Sequence, residues 1–173
     1  MPMIRSLSLL PALLLVVAPL AAQQQPTAGC TAAEYRQFDF WEGDWEVTDS
    51  TGTVVMGTNV ITREESGCAL REQWRAGRGG TGQSLNFYER TTGRWSQVWV
   101  ASNGNVLRLQ GGFANGAMRM EGETRPPNGP VIRNRITWTP LADGRVRQSW
   151  MISRDSGTTW HAGFDGWYRR RRA

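Results

Sequence analysis

The sequence contains no lysine, one histidine and two cysteines among 173 residues. These are too few for a zinc finger or a cysteine-ligated cluster, so no metal site of that kind is expected. All 20 basic residues are arginines, and five of them lie at the two ends, as Arg5 and the run 169–172. Without those five, arginines and acidic residues balance at 15 each. The body of the chain therefore has no net charge, which argues against a nucleic-acid partner.

Long apolar stretches are also missing, except at residues 7–20, which follow a short basic start and precede two alanines. This order is that of a secretory signal peptide, and we predict one over residues 1–22, cleaved after Ala22. The stretch is too short, and too interrupted by proline, to span a membrane as a helix. An uncleaved anchor is the alternative. We therefore expect a periplasmic or extracellular protein that does not span the membrane.

The two cysteines fit an oxidising compartment, where Cys30 and Cys68 are expected to form a disulfide. Their sequence separation is 38 residues. Closing a loop of that length stabilises a protein by roughly 3–4 kcal/mol in the chain-entropy model. The alternative is acylation of Cys30, because residues 27–30 weakly resemble a lipoprotein acylation site. Acylation would leave Cys68 unpaired.

A polar linker over residues 23–30 leads into a predicted short helix over residues 32–40. Thr31 and Glu34 have the spacing of a capping box, which marks a helix N-terminus. After Gly43 the apolar residues alternate with period two, and turn residues interrupt the alternation every 8–12 positions. This pattern is typical of an all-β barrel or sandwich.

Ten strands are predicted, with tight turns between them and no crossover helices. Their predicted ranges are 44–49, 53–64, 68–76, 83–90, 94–101, 105–111, 116–123, 131–139, 145–153 and 159–169. Asn-Gly and Asp-Gly in several breaks supply the positive φ of hairpin turns. A meander of this length gains from closure, which removes exposed strand edges. We therefore predict an all-β, antiparallel up-and-down barrel of about ten strands, as one domain over residues 31–169 with a basic tail at 170–173.

The stretch from Phe38 to Val47 leads from a helical turn into Gly-x-Trp on the first strand. In this it resembles the calycin superfamily, which includes lipocalins, fatty-acid-binding proteins and nitrobindin-like barrels. The resemblance implies that Trp45 closes one end of the barrel. It also implies that Arg169, at the end of the last strand, packs across that indole as a cation–π contact.

The chain from about residue 30 to 169 also resembles a family of exported bacterial proteins of unknown function. That resemblance implies the same fold and no particular activity. It is carried by the stretches 38–47, 67–70, 82–86, 95–100, 135–140 and 164–168.

The resemblance to nitrobindin-like barrels raises the question of heme, which they bind through a histidine. His161 is the one histidine here. Alternation along the last strand places Trp160, Ala162, Phe164 and Tyr168 on the cavity face and His161 on the outer face. We therefore do not expect His161 to ligate heme, and no cofactor is required.

Three predicted strands each carry a polar residue two positions from a tryptophan, hence on the same face. The pairing suggests a tryptophan-walled cavity with polar anchors, the usual anatomy of a small-molecule site. The candidate ligand-binding residues are Glu72, Trp74, Trp95, Gln97, Trp99, Trp138, Gln148 and Trp150. A buried Glu72 would need a partner, and Arg133 or Arg135 could supply one.

These features predict an exported barrel that binds a small apolar or amphipathic molecule of unspecified identity. One alternative is an enzyme of the lyase or isomerase kind that uses Glu72 as acid or base in the cavity. Another is a filled barrel that serves as a structural or interaction protein.

Overall fold

A computed structural model of the chain describes residues 29–171. The predicted signal peptide and nearly all of the predicted linker lie outside the described residues, as do residues 172 and 173. No helix in the described part is long and apolar enough to cross a membrane. The ten strands are β1 (Gly43–Thr48), β2 (Val55–Glu64), β3 (Ala69–Ala76), β4 (Thr81–Glu89), β5 (Arg94–Ala101), β6 (Val106–Ala114), β7 (Ala117–Thr124), β8 (Ile132–Pro140), β9 (Val146–Ser153) and β10 (His161–Arg170).

The strands form one closed barrel in which each strand pairs antiparallel with its neighbours in sequence, and β1 pairs with β10. This confirms the predicted fold class. Turn chemistry explains the connections: at the β6–β7 hairpin, Asn115 and Gly116 have φ of 51° and 76°. Two successive positive φ values match the right-handed twist of the flanking strands, and Asn-Gly adopts them at low cost. The closed ten-stranded barrel is consistent with a calycin-like fold.

The predicted short helix is present as two 3₁₀ helices, Ala33–Arg36 and Asp39–Trp41, with a third at Glu65–Gly67. The predicted capping box does not form, because the N-cap is Ala32 and no side chain caps this helix. Between the first two helices, Phe38 adopts φ −110° and ψ 7°, which ends the helical path.

An aromatic plug of Phe38, Trp41, Trp95 and Trp138 fills one end of the barrel, here called the closed end. All four side chains are buried. The Phe38 ring stacks on Trp41 with centroids 4.8 Å apart, and it meets Trp95 and Trp138 edge-on at 5.6 and 5.2 Å. Such aromatic pairs add to the stabilisation from area burial alone.

The disulfide joins Cys30, just before the first 3₁₀ helix, to Cys68 in the β2–β3 connection at the closed end. This confirms the predicted pairing. Acylation of Cys30 is contradicted, since its sulfur is bonded to Cys68. The exported location remains a prediction.

Trp45 does stack with an arginine from the end of β10, but the arginine is Arg170 rather than the predicted Arg169. Strand register sets Arg170 opposite Trp45, and its guanidinium lies 4.4 Å from the indole centroid. Arg169 faces outward, where it pairs with Glu46 at 2.6 Å. The last strand thus extends one residue into the predicted tail.

A register shift between Ala162 and Phe164 interrupts the alternation of β10 against β9. A bulge of this kind reverses the faces of the residues on one side of it. Trp160 therefore packs outward, with the Arg135 guanidinium 3.9 Å from its ring centroid. His161 pairs in register with Ile152 and is exposed at the rim. The predicted faces are right for Phe164 and Tyr168 and wrong for Trp160, Ala162 and His161.

Candidate functional site

The barrel encloses a cavity of about 340 Å³ towards the end opposite the plug, here called the open end. At the open end, strands are connected by the loops 49–54, 77–80, 102–105, 125–131 and 154–160. The cavity is lined by Met56, Glu72, Trp74, Ala76, Gln97, Trp99, Leu107, Ile136, Gln148, Trp150, Phe164 and Tyr168. Six of the eight residues predicted to bind a ligand are in this set.

The other two, Trp95 and Trp138, do not line the cavity and belong to the aromatic plug. Both face inward, as the period-two pattern predicted. However, Trp95 is the second residue of β5 and Trp138 lies near the end of β8, and both positions are at the closed end. Their height along the barrel, and not their face, separates them from the cavity.

Three indoles and one phenyl ring form the wall near the open end. Trp74 packs on Gly57 and Trp99 on Gly82, where an added Cβ would approach the rings to 2.7 and 2.1 Å. Glycine at these two positions lets the indoles lie against the sheet. Trp150 is oriented by donating its Nε1–H to Asn134 Oδ1 at 3.1 Å.

Glu72 is buried where the cavity reaches the middle of the barrel, and its two hydrogen-bond partners are uncharged. Asn59 Nδ2 donates to Oε1 at 2.7 Å, and the Ser84 hydroxyl donates to Oε2 at 2.6 Å. The predicted arginine partners are wrong, because odd-numbered residues of β8 face outward. Arg133 and Arg135 instead pair with Glu123 and Glu121 on the outer surface.

A chain of hydrogen bonds extends from Ser84 through Asn86 to Gln97. It sets the orientation of the Asn86 and Gln97 side-chain amides. Asn86 Nδ2 donates to the Leu70 carbonyl and to the Ser84 hydroxyl, so its Oδ1 points the other way. Gln97 Nε2 donates to that Oδ1 at 2.7 Å. Gln97 lines the cavity, and these hydrogen bonds leave its carbonyl oxygen unengaged.

On the other side of Glu72, Asn59 Nδ2 also donates to the Tyr168 hydroxyl at 3.2 Å. Tyr168 in turn donates its hydroxyl proton to Gln148 Oε1. The Gln148 amide group thus presents its N–H bonds to the cavity. Glu72 and two amides of fixed orientation form the polar floor of the cavity.

Burial raises the pKa of Glu72 from its ordinary 4.5 to about 7, although the hydrogen bonds from Ser84 and Asn59 lower it. Burial and the neighbouring Glu72 charge also raise the pKa of Tyr168 well above 10.0. Near neutral pH the cavity therefore contains a carboxyl that titrates and a phenol that stays protonated.

Sequence reasoning missed the residues that orient this floor, which are Asn59, Ser84, Asn86 and Tyr168. Each of these occupies an inward position of its strand. The polar side chains on inward positions of β2 and β4 were the available signal, because buried polar groups need partners. None of the four has a tryptophan two positions away along its strand, which is the pattern that predicted the other polar residues.

No group of three or more His, Cys, Asp or Glu side chains within residues 29–171 could hold a metal ion. That His161 does not ligate heme stays a prediction. Comparison of the chain with protein-family models and with curated proteins gives no match. The resemblance to exported bacterial proteins therefore also stays a prediction.

Proposed function

We propose that the barrel binds a small apolar or amphipathic molecule in the cavity. The observation that carries this proposal is an open space of about 340 Å³ with an aromatic wall and a polar floor. Small-molecule sites combine apolar walls with a few placed polar groups in this way. A filled barrel, the structural alternative, would leave no such space.

The arrangement favours one orientation of the bound molecule. Trp74, Trp99 and Trp150 lie towards the open end, whereas Glu72 and Gln97 lie deeper. A ligand would enter with its polar group first and leave its apolar body against the indoles. Removing both the ligand surface and the ring surfaces from water would supply most of the binding free energy.

Titration with octanol tests this function, with calorimetry to measure affinity and tryptophan fluorescence to report on the wall. Binding should weaken at least about tenfold in Ala76→Phe, because the new ring occupies cavity space. Arg75→Phe is the matched control, since Arg75 is exposed on the outer face of the same strand. Absence of octanol binding, or equal loss in both variants, would contradict the proposal.

A second candidate function is acid–base catalysis by Glu72. The observation that favours it is a pKa of about 7 in a cavity, where a carboxyl can both give and take a proton near neutral pH. The probe is deuterium exchange at the carbon beside the carbonyl of octan-2-one, followed by NMR. Exchange that is lost in Glu72→Gln, while octanol binding is retained, would support the enzyme. Equal exchange in both proteins would exclude this role for Glu72.

The disulfide supports the proposal that the protein works outside the cytoplasm, because such bonds persist in oxidising compartments. Mass spectrometry of the protein from its native host tests this. A chain that begins at Gln23 and lacks free thiols is expected, and a chain that retains residues 1–22 would contradict cleavage.

A further inference from the structure

We infer that the cavity selects a small organic cation with an apolar body, such as a protonated alkylamine, whose charged end pairs with Glu72. This inference rests on the proposed function, and it names the chemical class of the ligand.

The charge of Glu72 has no counter-ion among the described residues that line the cavity. Of the described residues that line the cavity, Glu72 is the one with a formal charge. Its partners Asn59 and Ser84 are neutral. An ionised carboxylate is costly to bury without a cation, and a positively charged ligand would supply the missing partner.

Glu72 and Gln97 leave hydrogen-bond acceptors on the polar floor. Each carboxylate oxygen of Glu72 accepts one hydrogen bond from the protein and can accept another. The Gln97 carbonyl oxygen is a further acceptor, because its amide nitrogen is already engaged with Asn86. An ammonium group carries three donors and no acceptor, so it suits these oxygens of Glu72 and Gln97, and it makes no hydrogen bond with the Gln148 N–H bonds.

The aromatic wall above the floor also favours a cation. Trp74, Trp99 and Trp150 line the same cavity as Glu72. Indole faces attract cations, and the attraction is stronger when water is excluded. The same rings would also cover the apolar body of an alkylamine. An anionic head group would meet both the carboxylate and the negative ring faces, and it is therefore disfavoured.

The described groups that face Glu72 carry no positive charge, so a ligand would have to neutralise its carboxylate. Asn59 reaches it from β2 and Ser84 from β4, while Tyr168 of β10 is joined to it through Asn59. Of these, Tyr168 alone is titratable, and it is neutral near pH 7. Arginines of the open-end loops, such as Arg78 and Arg154, are exposed. Salt screens such surface charges over about 8 Å at physiological ionic strength.

The test compares octylamine, octanol and octanoate, which share a chain and differ in head-group charge. Affinities are measured by calorimetry at pH 8 and pH 5.5, with the amine protonated at both values. At pH 8, octylamine should bind at least about tenfold tighter than octanol, and octanoate should bind weakest. At pH 5.5 the octylamine preference should fall at least about tenfold, because Glu72 is then protonated.

Two variants assign the effect to Glu72. In Glu72→Gln, octylamine should bind no tighter than octanol at either pH. Glu46→Gln removes the same charge from the outer face, where Glu46 pairs with Arg169, and should keep the preference. If the glutamine variant fails to fold, the pH dependence of the wild-type protein still decides the question.

The outcomes separate this inference from the proposed function. Equal affinity for octylamine and octanol in the wild-type protein, or a preference for octanoate, would overturn the cation inference while leaving the cavity as a binding site. A preference for octylamine that survives Glu72→Gln would also overturn it. Failure of all three probes to bind would contradict both proposals.

Discussion

Asn59 Nδ2 on β2 lies 2.7 Å from Glu72 Oε1 on the neighbouring strand β3, and both side chains are buried. The same amide nitrogen also donates to Tyr168 of β10, so it joins a carboxyl and a phenol from opposite neighbours of the β1–β2 pair. Asn59 thereby positions the polar floor of the cavity. The neutral partners of Glu72 do not compensate its charge when it ionises, and this has measurable consequences even without a ligand.

The first prediction concerns the pH dependence of stability. The pKa of Glu72 is about 7 in the folded protein and about 4.5 when unfolded, so the folded state binds the proton more tightly. The bound proton on Glu72 therefore contributes its full stabilisation of the folded state below pH 4.5, and this contribution is lost as the pH rises through 7. The loss is about 3 kcal/mol as an order of magnitude. Urea unfolding between pH 4.5 and 8 measures it.

Glu72→Gln serves as the control for that prediction, because the amide does not titrate. Relative to the variant, the wild type should lose about 3 kcal/mol of unfolding free energy as the pH rises across the window. Other groups, such as Asp39 with its burial-raised pKa, contribute to both proteins and cancel in the difference. Parallel pH profiles for the two proteins would refute a burial-raised pKa at Glu72.

The second prediction concerns the glycine beneath an indole of the wall. In Gly82→Ala the new methyl would lie 2.1 Å from a carbon of Trp99, so the ring must move into the cavity. We expect a loss of about 1–3 kcal/mol in stability and weaker octanol binding. Gly112→Ala is the matched control, since its Cβ would meet nothing within 4 Å. Equal effects of the two changes on octanol affinity would count against the placement of Trp99.

The third prediction separates two adjacent arginines. Arg170 stacks on Trp45 and donates to the Glu42 carbonyl at 3.0 Å. Arg170→Ala should therefore lower the free energy of unfolding by about 1–2 kcal/mol. Arg169→Ala removes an exposed ion pair with Glu46 and should cost less than about 0.5 kcal/mol. If urea unfolding showed a larger loss of stability for Arg169→Ala than for Arg170→Ala, Arg169 would be the arginine that packs on Trp45.

The fourth prediction concerns the disulfide at the closed end. Replacing Cys30 and Cys68 together by serine should lower the free energy of unfolding by roughly 3–4 kcal/mol, because the unfolded chain regains the entropy of a 38-residue loop. Reduction should destabilise the wild-type protein by a similar amount and leave the double variant unchanged. Two titratable thiols in the unreduced mature protein would show that the bond does not form.

The strand order was predictable because period-two alternation and turn residues act locally. Asn115-Gly116 and Asp143-Gly144 mark hairpins from the sequence alone, since Asn115, Gly116 and Gly144 have a positive φ that few other residue types adopt readily. The inward faces of β3, β5 and β9 follow from the same alternation. Alternation predicts that Glu72, Gln97 and Gln148 each share a face with a tryptophan, and in the structure that face lines the cavity.

The errors come from features that alternation does not encode. The bulge before Phe164 reverses the faces of Trp160 and His161, and it depends on pairing with β9. The height of Trp95 and Trp138 along the barrel follows from their positions at the start of β5 and near the end of β8, which alternation of faces does not take into account. The partners of Glu72 lie 13 and 12 residues away on other strands, so they depend on register.

The most direct measurement for the central claim is NMR detection of contacts between bound octanol and tryptophan rings. The account predicts nuclear Overhauser effects from octanol methylenes to Trp74, Trp99 and Trp150, which line the cavity. Trp160 and Trp167, which stack with arginines on the outer surface, should give none. Contacts confined to those two outer indoles would contradict the claim that the cavity is the binding site.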